Sequence, residues 1–158
     1  MRNTVHEFYG KKIRPRVCGL CVRDESLLLI NHTAITKGDF WAPPGGGMEF
    51  GETAADCIKR EFQEETGLEI SVGEFLFACE FIKEPLHSIE LFFKVTIVGG
   101  SLALGTDPEA SRDLQILKEV RFIPWHEILE IEPQNLHGIF NFCPEPCKIM
   151  ELRGYFKL

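Results

Sequence analysis

A chain of 158 residues, 44% apolar and 26% charged, has the material for one domain with one substantial core and an ordinary globular balance. Its 17 basic and 24 acidic residues leave a formal charge of −7. That charge argues against a nucleic-acid duplex or an anionic membrane as main partner, but it leaves a phosphate substrate open, since a bound metal ion reverses the local sign.

The stretch Met1–Val17 is polar and basic, so no secretory leader is expected there. The run Leu27–Ile30 is far too short to span a bilayer, and a cytoplasmic location is the expectation. Arg14–Arg23 reads as a strand and Ser26–Asn31 as a second, joined by the Asp24–Glu25 turn. Both carry consecutive apolar residues and are expected to be central. Cys18 and Cys21 form a C-x-x-C pair, but residues three apart on a strand point to opposite faces. They are therefore read, with Cys79, as reduced thiols packed like small apolar residues rather than as a zinc knuckle. Cys143 and Cys147 sit near the end of the chain.

From Phe40 to Gly47, two prolines and three glycines end any regular element and force a tight, exposed backbone. Thr53–Thr66 reads as a helix. Thr53 can cap it, Asp56 completes a capping-box pattern, and Gly67 stops it. Ala54, Ile58 and Phe62 form one apolar stripe.

Strands resume over Glu69–Ile82. From Ser88 to Val98, Ile89, Leu91, Phe93, Val95 and Ile97 share one face, and Ser88, Glu90, Phe92, Lys94 and Thr96 the other. Val120–Ile123 is a short strand, and Pro124–Glu130 opens a helix with proline in its first turn. Beyond Glu132 the chain is broken by prolines. Strands flanking one or two helices predict an α/β fold, a mixed β-sheet packed between helices. The expected organisation is a single domain over 1–158, with its core at about 14–130 and a C-terminal extension at about 131–158. Phe140, Phe142, Tyr155 and Phe156 of the extension can pack on the domain or on a second copy of the chain in a homodimer.

On the predicted helix, Glu61, Glu64 and Glu65 stand at i, i+3 and i+4, which puts three carboxylates on one patch. Such a cluster of hard oxygen donors suits Mg²⁺ or Mn²⁺, and the glycine loop before it can bring backbone groups close to the same ion or to a phosphate. Alone, the three glutamates read sooner as a solvated acidic helix face.

They are not alone. Gly46, Glu52, Arg60, Glu61, Phe62, Glu64, Glu65, Gly67 and Leu68 fill every specified position of G-x5-E-x7-R-E-U-x-E-E-x-G-U, with U a bulky apolar residue. A chance match anywhere in the chain is on the order of 10⁻⁶ by composition. The segment thus resembles the signature of the Nudix hydrolase family. Trp41–Gly46 resembles the family's lead-in, with Pro43 where an aliphatic residue is commoner.

The resemblance implies an α/β/α sandwich whose signature forms a catalytic loop–helix–loop. It implies hydrolysis of a nucleoside diphosphate linked to another moiety, a small nucleotide rather than a nucleic acid or a membrane. Carried over by position, Glu61, Glu64 and Glu65 become ligands for Mg²⁺ or Mn²⁺, with the Gly46 carbonyl a further one. Arg60 and Glu52 become the residues that fix those ligands. Water must attack an electron-rich phosphorus, and a carboxylate must take its proton. In the family that base is a signature glutamate or a downstream acid, and Glu119 and Glu109 are the downstream candidates.

Many members carry phosphate-gripping arginines after the second strand, where this chain has Asn31 and His32. Lys37, Arg14 or Arg16 can replace them, which makes Lys37, His32 and Arg14 the candidate substrate contacts. His87 and His126 are read as structural, and Phe40 and Phe81 as core residues before base-stacking ones. Pro85 lies near the position where ADP-ribose-type members carry a proline, and no tyrosine stands where dinucleoside-polyphosphate members have one. The substrate expectation is ADP-ribose or a sugar nucleotide. A nucleoside triphosphate pyrophosphohydrolase and a non-catalytic nucleotide sensor are the alternatives. A further rival is a diphosphate isomerase, for which Cys57 or Cys79 would supply the needed thiol.

Overall fold

The computed structural model describes residues 10–33, 38–105 and 117–158. In chain order the elements are β1 (Ile13–Leu20), β2 (Val22–Arg23), β3 (Ser26–His32), β4 (Phe40–Ala42), β5 (Gly45–Gly47), the helix α1 (Ala54–Thr66), β6 (Leu68–Lys83), β7 (Leu86–Gly100) and β8 (Leu117–Pro124). A one-turn helix (Trp125–Ile128), three 3-10 turns (Pro133–Asn135, Gly138–Phe142, Pro146–Glu151) and β9 (Gly154–Lys157) follow.

Two sheets result. A mixed five-stranded sheet runs β5-β1-β7-β6-β9, with β1–β7 and β6–β9 parallel and the other pairs antiparallel. In the second sheet β3 pairs antiparallel with β2, β4 and β8.

The expected strand over 14–23 is divided at Cys21. β1 belongs to the mixed sheet, whereas Val22 and Arg23 pair with Leu27 and Ser26 in the other. The cause is a tight hairpin. Asp24 and Glu25 both sit in the left-handed region (φ 48° and 55°), the conformation of a two-residue turn whose twist matches its strands. Cys18 and Cys21 fall into different core clusters, as opposite faces require, and all six cysteines are free thiols.

The helix begins and ends where capping chemistry dictates. Thr53 Oγ1 accepts from the Asp56 N–H (3.1 Å), and its hydroxyl donates to the Asp56 carboxylate (2.6 Å). Gly67 adopts the left-handed conformation (φ 70°) and donates to the Gln63 carbonyl. The carbonyls of Glu65 and Thr66 are satisfied by the Gly105 and Ala103 N–H groups, each at 2.9 Å. Ile58 and Phe62 are fully buried, and Phe62 lies over Gly19, where a Cβ would overlap its ring. Burying each stabilises by about 1.5–3 kcal/mol, more than the roughly 0.2–0.5 kcal/mol that each like-charge pair on the helix costs.

β7 departs from a simple one-sided strand. Ser88, Glu90 and Phe92, the mostly polar face by pattern, are buried, while Ile89, Leu91 and Phe93 are only partly covered. The C-terminal segment covers that polar face. Leu136 bridges to Trp41, the His137 N–H donates to the Trp41 carbonyl (2.9 Å), and Phe92 meets the His137 ring edge-on (5.6 Å). The second helical layer is therefore made of short turns rather than a long helix, and Pro124 precedes its helix as N-cap instead of lying in the first turn. Phe140 is buried, Phe156 packs edge-on against Phe77 (5.9 Å), and Tyr155 and Phe142 remain exposed. None of the described helices is long and apolar enough to cross a membrane.

Glu90 anchors this second layer. Burial raises its pKa, but the hydrogen bond from His137 and the charge of Arg16 outweigh burial and hold it at about 2. A folded-state pKa below the ordinary 4.5 contributes stability that is fully present above that value and is lost as pH falls toward about 2. Urea unfolding followed between about pH 6 and about pH 3 should therefore lose stability more steeply in the wild type than in Glu90→Gln. Parallel slopes would refute this role for Glu90.

Candidate active site

The three glycines of β5 let backbone and carboxylates meet. A Cβ on Gly45 would overlap the Val17 carbonyl of β1, and one on Gly46 would overlap the Glu61 carboxylate. The Gly45 N–H donates to Glu65 Oε2 (3.0 Å). Glu61 and Glu65 are thus buried against the glycine strand, and Glu64 stands more open, 29% exposed.

Arg60 ties the patch together. Its Nε and Nη2 donate to the two oxygens of Glu52 (2.9 and 3.1 Å), a bidentate pair. Nη1 donates to Glu61 Oε1 (2.8 Å) and Glu64 Oε2 (3.3 Å), and Nη2 also reaches the Gly47 carbonyl (3.2 Å). Glu52 is held from the other side by the Glu49 N–H (3.0 Å). The hydrogen bond from Arg60 brings the Glu52 pKa down to about 2 against the opposing effect of burial. The same Glu52 bond pushes the Arg60 pKa up. Burial raises the pKa of Glu61, although Arg60 opposes it.

Donor chemistry fits a hard divalent cation here. All the donors are oxygens, and the lack of a side chain at Gly46 lets the Glu61 carboxylate lie against the backbone. The carboxylates themselves stand apart. Among the described residues, the one group of three His, Cys, Asp or Glu donors within 4.8 Å of one another is Cys79, Glu90 and His137.

The Cys57 thiol donates to the Gly47 carbonyl (3.4 Å), and burial, then Glu52, pushes its pKa up to about 12. Burial pushes the Cys79 thiol up as well. Neither is poised for the cysteine chemistry of an isomerase.

Other candidates lie around this patch. An Arg14 Nη atom lies beside Gly47. His32 is half-buried with Nδ1 lacking a partner, and burial, Arg16 and His137 lower its pKa to about 4. Glu119 is exposed on β8 and pairs with Arg121 (3.2 Å), whose guanidinium lies over the Trp41 ring (5.4 Å). His87 pairs across the hairpin with Glu80 (2.9 Å), and Pro85 lies in the turn between β6 and β7. Lys37 and Glu109 lie outside the described residues. Glu90 and His137 escaped the sequence reading. The available signal was a lone carboxylate inside an apolar strand, which needs a buried partner.

Residues 12–141 match the NUDIX domain family. An ADP-ribose pyrophosphatase of Methanocaldococcus jannaschii is 33% identical over 120 residues, spanning 72% of this chain and 71% of that protein. A Nudix hydrolase of Bacillus subtilis is 28% identical over 141 residues, 77% of this chain and 82% of its own length. Among solved structures, a MutT Nudix hydrolase of Burkholderia pseudomallei superposes with a TM-score of 0.67 at 19% identity, covering 84% of this chain and 95% of that one.

The Arg60 network makes a specific demand on shape. Arg60→Lys keeps the charge and loses the fork, so kcat should fall by about 10- to 100-fold with the fold intact by circular dichroism. Full activity in that variant would show the fork to be dispensable.

Proposed function

Because the chain belongs to the Nudix hydrolase family and is an enzyme of it, we propose that it cleaves the diphosphate of ADP-ribose or a related sugar nucleotide, with Mg²⁺ or Mn²⁺ held by Glu61, Glu64, Glu65 and the Gly46 carbonyl. The observation that carries the metal assignment is the Arg60 hub, which fixes Glu61 and Glu64 beside a backbone kept bare at Gly46. A bound ion there would neutralise phosphate charge and acidify a water. The chain's own part is to hold that site through Arg60 and Glu52, and to take the water's proton on a carboxylate.

The base is assigned to the signature glutamates. Glu119, the alternative, is paired with Arg121 and shares its face of β8. A hundredfold loss of kcat in Glu119→Gln would move the base there.

Support for the substrate comes from the relative that is an ADP-ribose pyrophosphatase and from Pro85 near the subgroup position. A site with few cations should also handle two phosphates better than a longer chain, because each further phosphate adds charge to neutralise. The expected products are AMP and ribose 5-phosphate.

Activity should vanish with EDTA and return with Mg²⁺ or Mn²⁺ more fully than with Zn²⁺, since the ligand set is all oxygen. Glu64→Gln and Glu65→Gln should each lower kcat by at least about a hundredfold. Full turnover in metal-free buffer, or in both variants, would sink the metal assignment. Comparing kcat/KM for ADP-ribose, a sugar nucleotide, dGTP and a diadenosine polyphosphate, with products identified by mass, tests the substrate. A clear preference for dGTP would replace ADP-ribose by the triphosphate alternative, and binding without phosphate release would mark a sensor.

A further inference from the structure

Outside the signature, a dense set of buried polar groups lies where β1, β7 and the C-terminal segment meet. Arg16 of β1 stands in register with Gly47 of β5 on one side and Glu90 of β7 on the other. Its Nε donates to Glu90 Oε1 (3.2 Å). Glu90 Oε2 accepts from His137 Nε2 (2.8 Å) and from the Cys79 thiol (3.6 Å). His137 Nδ1 in turn accepts from the Ile139 N–H (3.2 Å), which places the ring proton on Nε2.

That tautomer decides what the cluster is. The spacing of Cys79, Glu90 and His137 would suit a metal. A metal-bound imidazole, however, coordinates through one nitrogen and donates a proton from the other. Here Nδ1 is taken up as an acceptor and Nε2 carries the proton, so neither is left to coordinate. The cluster is a clamp on Glu90, and Glu90 holds Arg16.

Arg16 keeps most of its donors in reserve. Its side chain is 27% exposed, and among the described residues its Nη1 and Nη2 groups make no hydrogen bond. They present the planar fork that matches a phosphate. Burial opposes the charge on Arg16, but Glu90 and, in smaller part, Glu65 and Glu61 outweigh it, so the signature glutamates act on the same guanidinium. His32, whose Nδ1 has no partner, feels the charge of Arg16, which helps to lower its pKa. Arg60 is no rival for this role, because Glu52, Glu61, Glu64 and Gly47 engage its Nε and both Nη groups.

We propose that Arg16 grips the substrate's diphosphate beside the signature glutamates, and that Glu90 and His137 are positioning residues that aim it, so that the C-terminal segment takes part in substrate binding. This rests on the hydrolase function above and extends it to the residues that recognise the substrate.

Calorimetric titration of inorganic pyrophosphate with Mg²⁺ into the full chain reads binding without catalysis. Arg16→Ala should weaken that binding by about tenfold or more, and added guanidinium should restore it in part. With the nucleotide substrate, Arg16→Lys should raise KM by more than it lowers kcat. A structural role alone would lower Tm, with no KM shift and no guanidinium rescue. Glu90→Gln and His137→Gln should weaken pyrophosphate binding in the wild type and add nothing in the Arg16→Ala background. Additive losses would remove the positioning role. Arg16→Ala, at a partly exposed site, decides the main point should the buried variants not fold. Equal pyrophosphate affinity in wild type and Arg16→Ala, or no binding by the wild type, overturns the proposal. A wild type that hydrolyses no nucleotide diphosphate removes the enzymatic reading instead, while the pyrophosphate titration still reads Arg16.

Discussion

The carboxylates of α1 stay in register because one guanidinium lies among them. Arg60 takes both oxygens of Glu52, bridges Glu61 and Glu64, and reaches the Gly47 carbonyl. Repulsion between the helix carboxylates is worth roughly 0.2–0.5 kcal/mol per pair, whereas a hydrogen bond to a charged group contributes about 1.5–3 kcal/mol. The attraction wins without pulling Glu61, Glu64 and Glu65 into one tight group of donors. Glu52 completes the arrangement by tying Arg60 to the loop through the Glu49 N–H. The loop before the helix and the helix itself are thereby one rigid piece.

That piece needs a fixed wall to work against, and β1 supplies it. Val17 faces the helix cluster and stands opposite Gly46, while Cys18 belongs to the cluster under the C-terminal segment. One strand therefore contributes to both layers. Its Val17 side sets how closely the glycine strand and Glu61 approach. Its Arg16 side meets Glu90, which a histidine 47 residues further along the chain holds in place. A shift of β1 by one residue would exchange these faces and dismantle both.

The signature helix was legible because everything that forms it is local. Thr53, the Ile58–Phe62 stripe and Gly67 lie within one stretch, and the carboxylate spacing follows from helical geometry alone. The split between β1 and β2 was not legible. A run of apolar residues does not reveal a change of sheet, and the Asp24–Glu25 pair gives only a turn, not which strand each arm joins. The buried face of β7 was also hidden. Ser88 and Glu90 look like a solvent face until a segment far along the chain is known to cover them. Proline-broken sequence carries no periodicity from which that covering could be foreseen.

The same division separates chemistry from specificity. The parts proposed to prepare a phosphoanhydride for attack come from contiguous sequence, and local capping, glycine contacts and the Arg60 fork hold them. The parts that would meet the rest of a substrate, on the proposal for Arg16, come from β1, β7 and the C-terminal segment, brought together by long-range pairing. The second set makes no hydrogen bond to Arg60, whose described partners are Glu52, Cys57, Glu61, Glu64 and Gly47. That is why membership of a hydrolase family follows firmly from one short motif, whereas the proposed grip on the substrate lies with a residue, Arg16, that the motif does not contain.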